Sequence, residues 1–311
     1  MDPRSPKVSI IMNCLNGATF LREALDSIFA QSYPNWEVIF FDNGSSDASP
    51  EIARSYGERV KYYHGEVTVP LGAARNAAIA RASGDLIAFL DTDDRWLPEK
   101  LELQVAVMSE FPDVGLVYTN CHYLDSASGV MRLALKSTQP EGNIFRSILK
   151  SYPINLQTVM VRLAALRRLD ALFDPEFDVS EEYDLFLRLL YRENAKYIDK
   201  ATAVYRLHSG MSSVRNIAKF PVENQRVLDK LRSQIPGLDI DYASEISYLE
   251  AKIAFWHASA AMSIGDRAAA RTFLAPVVDR ALVFRLLHAL TFLPVCCWNF
   301  AQRIRRRGLG N

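Results

Sequence analysis

The 311-residue sequence has few cysteines, no net charge and no long apolar run. Its four cysteines, Cys14, Cys121, Cys296 and Cys297, show neither metal-ligand spacing nor the density of a disulfide scaffold, and they fit a reducing cytoplasm. Thirty-six Lys and Arg balance thirty-six Asp and Glu, so no overall field draws nucleic acid, and no nucleic-acid partner is expected. Met1-Asp2-Pro3-Arg4-Ser5-Pro6 lacks the apolar core of a signal peptide. The uncharged stretch Leu286 to Trp298 has thirteen residues, well short of the roughly 20 that a bilayer-spanning helix needs. No GxGxxG follows the first predicted strand, which removes the support for an NAD-type fold. Asn16-Gly17-Ala18-Thr19, in the same loop, contains no Lys or Arg, so the basic triphosphate loop of a nucleotidyltransferase is missing too.

What is present is an ordinary globular composition, 49% apolar and 23% charged, long enough for one α/β domain and a smaller appendage. The chain is organised around Leu86-Ile87-Ala88-Phe89-Leu90, an apolar run that ends in Asp91-Thr92-Asp93-Asp94. Such a run between Gly84 and the acids reads as a central parallel strand buried on both faces. It delivers Asp91 and Asp93 to the C-terminal sheet edge, where open α/β sheets bind ligands. Carboxylates so close together repel unless a cation lies among them, and hard oxygen ligands select Mg²⁺ or Mn²⁺. A solvated turn capping the next helix is the plainer reading. A phosphatase nucleophile motif fits poorly, because Arg95 stands where Thr or Val belongs.

Strand and helix patterns alternate from Val8 onward, which predicts an α/β, doubly wound, mostly parallel sheet. Strands are expected at Val8 to Met12, Trp36 to Phe41, Val60 to His64, Leu86 to Leu90, Val114 to Asn120 and Lys196 to Arg206. Helices are expected after the first strand, from Ser49, over Gly72 to Ala82, from Pro98 to Phe111 and over Glu181 to Leu190. Tyr123 to Ile154 reads as an irregular insertion near an acceptor site. From Ile217 the pattern turns helical, with Tyr242 to Ile264 and Asp266 to Asp279 as a hairpin about Gly265.

Six markers occur in order: Val8-Ser9-Ile10-Ile11, Asp42-Asn43-Gly44-Ser45-Ser46-Asp47, Gly72-Ala73-Ala74-Arg75-Asn76, Leu90-Asp91-Thr92-Asp93-Asp94, Glu181-Glu182-Tyr183-Asp184-Leu185 and Tyr205-Arg206-Leu207-His208. Over residues 7 to 215 this resembles the family 2 glycosyltransferases, inverting enzymes of the GT-A nucleotide-diphospho-sugar fold, here of the bacterial cell-surface polysaccharide type. The resemblance implies a catalytic domain over 1–216, with a nucleotide-binding half to about 120 and an acceptor half beyond it. Residues 217–311 form a helical C-terminal extension outside the resemblance.

The resemblance also implies roles. Asp42 would read the nucleoside, Arg75 would lie near the base or diphosphate, and Asp91 would touch the ribose. Cys14 and Asn16 would line the donor site. Asp93 would hold the metal, with His208 on the diphosphate or as a second ligand, and Glu182 would be the general base. Two departures stand out. Cys14-Leu15-Asn16 replaces Thr-Tyr-Asn, so no ring stacks on the base, and Glu181-Glu182 replaces Glu-Asp, putting the base on a longer stem. The expected chemistry is transfer of a sugar from a nucleotide-diphospho-sugar, with a UDP-sugar favoured, to a glycan or lipid-linked acceptor. A noncatalytic sugar-nucleotide or glycan-binding module is the alternative from another class. Arg303, Arg305, Arg306 and Arg307, following the Leu286 to Trp298 stretch, predict an anchor at an anionic membrane surface, giving a cytoplasmic protein peripheral to the inner face.

Overall fold

The structure is a computed structural model that describes residues 5–211 and 215–308, from 302 onward as backbone only. The chain divides into two compact units, Met1–Arg215 and Asn216–Asn311.

The first unit opens with β1 (Val8–Cys14), α1 (Ala18–Phe29), β2 (Trp36–Asp42), α2 (Ser49–Arg54), β3 (Val60–His64), α3 (Leu71–Ile79) and β4 (Leu86–Phe89). It continues through β5 (Arg95–Trp96), α4 (Lys100–Glu110), β6 (Val114–Asp125), β7 (Met131–Leu133), α5 (Phe145–Lys150), β8 (Met160–Arg162), α6 (Leu163–Leu166), α7 (Glu181–Leu190) and β9 (Asn194–Leu207). The nine strands form one sheet in the order β3-β2-β1-β4-β8-β6-β9-β5, with β7 beside β6. Every residue of β1 and β2 is buried, as continuous Val, Ile and Phe runs demand when helices cover both faces of a sheet. Each such side chain contributes about 1.5–3 kcal/mol by leaving water.

The sheet is the expected doubly wound, mostly parallel α/β sheet of the GT-A fold, with short antiparallel strands in it: β5 runs against β9 and β7 against β6. Strands β3, β2, β1 and β4 run parallel, as do β6 and β9. The three-residue β8, however, lies between β4 and β6 and runs antiparallel to both. A strand that short, following a 3-10 turn at Leu156–Thr158, leaves no period-2 signal to read.

The segment Tyr123 to Ile154 is more ordered than its composition predicts. Tyr123–Asp125 completes β6, which returns along β7, and α5 buries Phe145, Ile148 and Leu149 at i, i+3 and i+4. The exposure of all three β7 residues hid that strand. Phe29, at the end of α1, is partly exposed and packs edge-on against Trp36.

The second unit comprises α8 (Phe220–Gln234), α9 (Leu238–Asp241), α10 (Ala243–Ser263), α11 (Arg267–Leu274), α12 (Leu282–Leu290) and α13 (Val295–Gly308). The expected hairpin forms between α10 and α11. Gly265 turns it at φ +83°, which side chains disfavour, and Asp266 caps α11 by accepting from the Ala269 N–H at 2.9 Å. The apolar stretch from Leu286 to Trp298 is not one element. It divides between α12 and α13 around Pro294, with Leu287 and Trp298 buried in the unit's own core. The side chains of Arg303, Arg305, Arg306 and Arg307 lie outside the described residues.

Candidate active site

Three parallel strands end at one edge. Cys14 closes β1, Asp42 closes β2 directly beside it in register, and β4 leads through Leu90 into Asp91-Thr92-Asp93-Asp94. This is the C-terminal edge of the sheet, flanking the strand β1 at which the winding reverses. The loop after β1 fits under the acidic turn only because residue 17 is glycine: a Cβ there would lie 2.6 Å from Thr92 Oγ1. Asn16 takes a left-handed φ of 57°, which Asn tolerates, and its Oδ1 accepts from the Ser46 N–H at 2.8 Å. The Cys14 thiol is buried, and burial raises its pKa.

Asp42 is fully buried. Its Oδ1 accepts from the Ser45 N–H at 2.9 Å, and its Oδ2 accepts from the Tyr62 hydroxyl at 2.5 Å and faces His64 Nδ1 at 3.3 Å. Burial alone would raise its pKa, but the hydrogen bonds from Tyr62 and Ser45 outweigh that and hold it below the usual range. Tyr62 and His64 lie two apart on β3, so both side chains fall on one face. That spacing is the signal by which sequence reading could have found them.

In the acidic turn the three carboxylates have different surroundings. Asp93 Oδ2 lies 3.0 Å from His208 Nε2, and both side chains are partly exposed. Burial, then the neighbouring Asp91, raises the Asp93 pKa. Asp94 is buried: Oδ1 accepts from the Arg206 N–H at 2.8 Å, and Oδ2 has no partner among the described residues. Burial, with Asp93 and Asp91 beside it, pushes its pKa well above the carboxylate range. Arg206, whose role sequence reading left unassigned, also donates from Nε to the Asp93 carbonyl at 2.9 Å and from Nη2 to Glu23 at 2.5 Å. Its guanidinium sits 4.3 Å from the centre of the Phe20 ring, which also packs on His208.

Asp93 and His208 fit a divalent cation. Two cis ligands of an octahedral ion at roughly 2.1 Å each stand about 3 Å apart, which is the separation found. A carboxylate oxygen with an imidazole nitrogen suits Mn²⁺ or Mg²⁺. No cluster of three or more His, Cys, Asp or Glu able to hold a metal occurs among the described residues.

Arg75 is buried and holds two acids at once: Nη1 donates to Glu181 Oε1 at 2.6 Å and Nη2 to Asp91 Oδ1 at 3.1 Å. Burial would lower its pKa, but Asp91, Glu181 and Glu182 together raise it further. Its neighbours in α3 serve the same junction. Gly72 lets the backbone of Asp174 approach to where a Cβ would lie 3.0 Å from the carbonyl oxygen, and Asn76 exchanges two hydrogen bonds with the Phe173 backbone. Arg75 is thus a clamp between the acidic turn and α7, with both nitrogens engaged by protein rather than presented toward a base or diphosphate. Arg75→Ala is expected to destabilise the unit by about 3 kcal/mol, because it strands the buried Glu181 carboxylate, while Asp91, with 35% of its side chain accessible, adds little. Urea denaturation with an unchanged midpoint would remove the clamp role.

Helix α7 starts at Glu181 and Glu182, which diverge. Among the described residues, Glu181 faces Arg75 with Oε2 buried and unpartnered, while Glu182 is half-buried and makes no hydrogen bond. Burial and the adjacent Glu181 push the Glu182 pKa up to about 8. Asp184 is fully buried and accepts twice from Arg188, at 3.1 and 2.7 Å. Beside the His208 end of this arrangement opens a cleft of about 780 Å³ at the ends of β6 and β9, lined by Tyr123, Arg132, Asn155, Tyr205, His208 and Met211.

A parallel sheet that brings an acidic turn, a buried Arg clamp and a carboxylate pair to one edge beside a cleft defines an α/β transferase domain of the GT-A type. Solved structures share the fold. TarS 1-349 of S. aureus in complex with UDP-GlcNAc aligns with a TM-score of 0.66 at 22% identity, over 97% of this chain and 92% of that one. The mannosyltransferase PcManGT of Pyrobaculum calidifontis, in complex with GDP-Man and Mn²⁺, gives 0.61 at 18%, over 95% and 86%. The chain belongs to glycosyl transferase family 2, whose family description matches residues 9–169. Among curated relatives, the UDP-Glc:alpha-D-GlcNAc-diphosphoundecaprenol beta-1,3-glucosyltransferase WfgD of Escherichia coli is 29% identical over 208 residues, covering 67% of this chain and 79% of WfgD. An uncharacterized glycosyltransferase of Rickettsia conorii is 28% identical over 218 residues, 70% of this chain, and the chain spans only about a third of that protein's length, 35%.

Proposed function

We propose that the chain is an inverting glycosyltransferase that moves a sugar from a nucleotide-diphospho-sugar, a UDP-sugar by preference, to a hydroxyl of a glycan or lipid-linked acceptor in cell-surface polysaccharide synthesis. The observation that carries this is the meeting of Asp91, Asp93, Arg75 and the Glu181/Glu182 pair at one strand edge next to an open cleft. WfgD's diphosphoundecaprenol-linked acceptor and the UDP-GlcNAc of the TarS complex support the choice of substrate classes.

In this reading residues 1–120 bind the donor and 121–216 the acceptor. Asp42 acts on the nucleoside end together with Tyr62 and His64, Cys14 and Asn16 shape the loop over it, and Asp91, steadied by Arg75, meets the ribose. Asp93, with His208, holds Mn²⁺ or Mg²⁺, which when bound neutralises charge on the departing diphosphate. Glu182 takes the proton of the acceptor hydroxyl as its oxygen forms a bond to the anomeric carbon on the face opposite the diphosphate. The bond from that carbon to the diphosphate oxygen breaks, and the nucleoside diphosphate leaves with the electron pair. The protein works in the cytoplasm, peripheral to the inner face of the membrane that carries the acceptor.

The test is release of nucleoside diphosphate from a panel of nucleotide-sugars, with and without Mn²⁺ and with and without lipid-linked acceptors. Donor binding without any turnover across the panel would instead favour a binding module. Asp42→Ala is expected to weaken donor binding by on the order of 1–3 kcal/mol, as for a charged hydrogen bond. Calorimetry with the nucleoside diphosphate alone reads that loss, and unchanged affinity would take Asp42 out of the donor site.

A further inference from the structure

Helix α12, the turn after it and α13 expose Leu282 at 70%, Val283 at 50%, Leu286 at 57%, Phe292 at 61%, Leu293 at 45% and Phe300 at 65%. Single exposed apolar residues need no explanation, but a run of them across two successive helices does. Leu282, Leu286 and Ala289 are spaced i, i+4, i+7 and therefore share one side of α12. Leu287, by contrast, turns into the core of the unit, with Phe284 and Leu290 packed against it. The helix is thus apolar inside and out, and only the inner side is covered within its own unit.

Charge selects what covers the outer side. From Arg280 to the C-terminus the sequence holds six arginines and no Asp or Glu, in a chain whose total charge is zero. Two of the six are paired within the unit, Arg280 with Glu250 at 2.7 Å and Arg285 with Asp279 at 3.2 Å, so the excess positive charge lies in the other four. No helix among the described residues is long and apolar enough to cross a membrane. Apolar side chains that cannot span, followed in the sequence by Arg303, Arg305, Arg306 and Arg307 with no acid among them, suit a surface that is oily beneath and anionic on top.

We infer that this face seats the protein on an anionic lipid bilayer, with Leu282, Leu286, Phe292 and Leu293 entering the headgroup boundary and the basic sequence that follows favouring anionic over neutral lipid. The inference deepens the lipid-linked acceptor reading and rests on it for its purpose, while its physics belongs to the second unit alone.

Flotation of the full chain with phosphatidylcholine vesicles, with and without phosphatidylglycerol, tests it. Binding is expected only to the anionic vesicles and is expected to weaken as salt rises. Leu286→Glu with Phe292→Glu should lower the bound-to-free ratio by on the order of tenfold or more. Gln at positions 303, 305, 306 and 307 should lower it by on the order of a hundredfold. Both variants change exposed or terminal positions, so circular dichroism should match the parent chain, and nucleoside diphosphate release from a water-soluble donor should be unchanged. Lost flotation with that release intact would support the surface, and the flotation result stands even if no transferase activity is found. Parent-level binding by both variants, or equal binding to neutral vesicles, would overturn the inference. So would a dimer by light scattering that Leu286→Glu dissolves without any vesicle binding, since the face would then belong to a second copy.

Discussion

Asp93→Ala is expected to leave the fold intact and to reduce turnover by on the order of a thousandfold or more. Asp93 makes no contact that the sheet needs. Its side chain is partly exposed, and its side-chain partner among the described residues, His208, is also partly exposed. The fold at this corner is held instead by Asp94 and Arg206, whose backbone and guanidinium contacts survive the substitution. What the variant loses is the carboxylate of the proposed metal pair, and metal neutralisation of a leaving group is worth several kcal/mol. Titration of Mn²⁺ with nucleoside diphosphate, followed by paramagnetic resonance, should show weakened metal binding independent of catalysis. Full turnover in excess chelator would end the metal assignment, whereas His208→Asn should give a smaller defect, because an imidazole is the less indispensable member of a carboxylate-led site.

The fold was largely legible because it is built from long, strongly patterned pieces. The apolar runs of β1, β2 and β4, each followed by polar turn residues, dictate buried parallel strands whatever else the chain does. What escaped was short or irregular. Three-residue β8 has no period to detect, and the bulges of β6 against β9 at Thr119, Asn120 and Cys121 interrupt alternation where two long strands pair. At the site, residue types were legible and directions were not. Asp91-Thr92-Asp93-Asp94 announces three carboxylates, yet only the tertiary fold decides that Asp91 meets Arg75, Asp93 meets His208 and Asp94 turns inward to the Arg206 backbone. Arg75 illustrates the limit best. A charged residue in an Ala-rich helix reads as solvated, and its burial depends on Glu181, which lies 106 residues away.

Glu182→Gln is the second large effect, expected to lower kcat by about a hundred- to ten-thousand-fold with donor affinity nearly unchanged. Adjacent side chains on a helix diverge by about 100°, and with Glu181 committed to Arg75 at 2.6 Å, Glu182 is directed elsewhere and remains without a hydrogen bond among the described residues. Asp184, with the shorter stem, is buried against Arg188 and poorly placed to take a proton from an acceptor. The pH dependence separates a base from a merely structural acid. Burial and Glu181 raise the Glu182 pKa from 4.5 to about 8, so its basic form grows as pH rises, and kcat should climb up to about pH 8 and level off above it. The same shift has a sign for stability. The folded chain keeps a proton that the unfolded chain releases from 4.5 upward, so the group favours folding at low pH and that contribution is lost as pH rises through about 8. Glu182→Gln should remove both the rise in residual kcat and this part of the stability slope, while Glu182→Asp should keep part of the turnover. If Glu182→Gln turns over normally and Asp184→Asn does not, the base is Asp184, and α7 must rotate or open Arg188 before the acceptor can react.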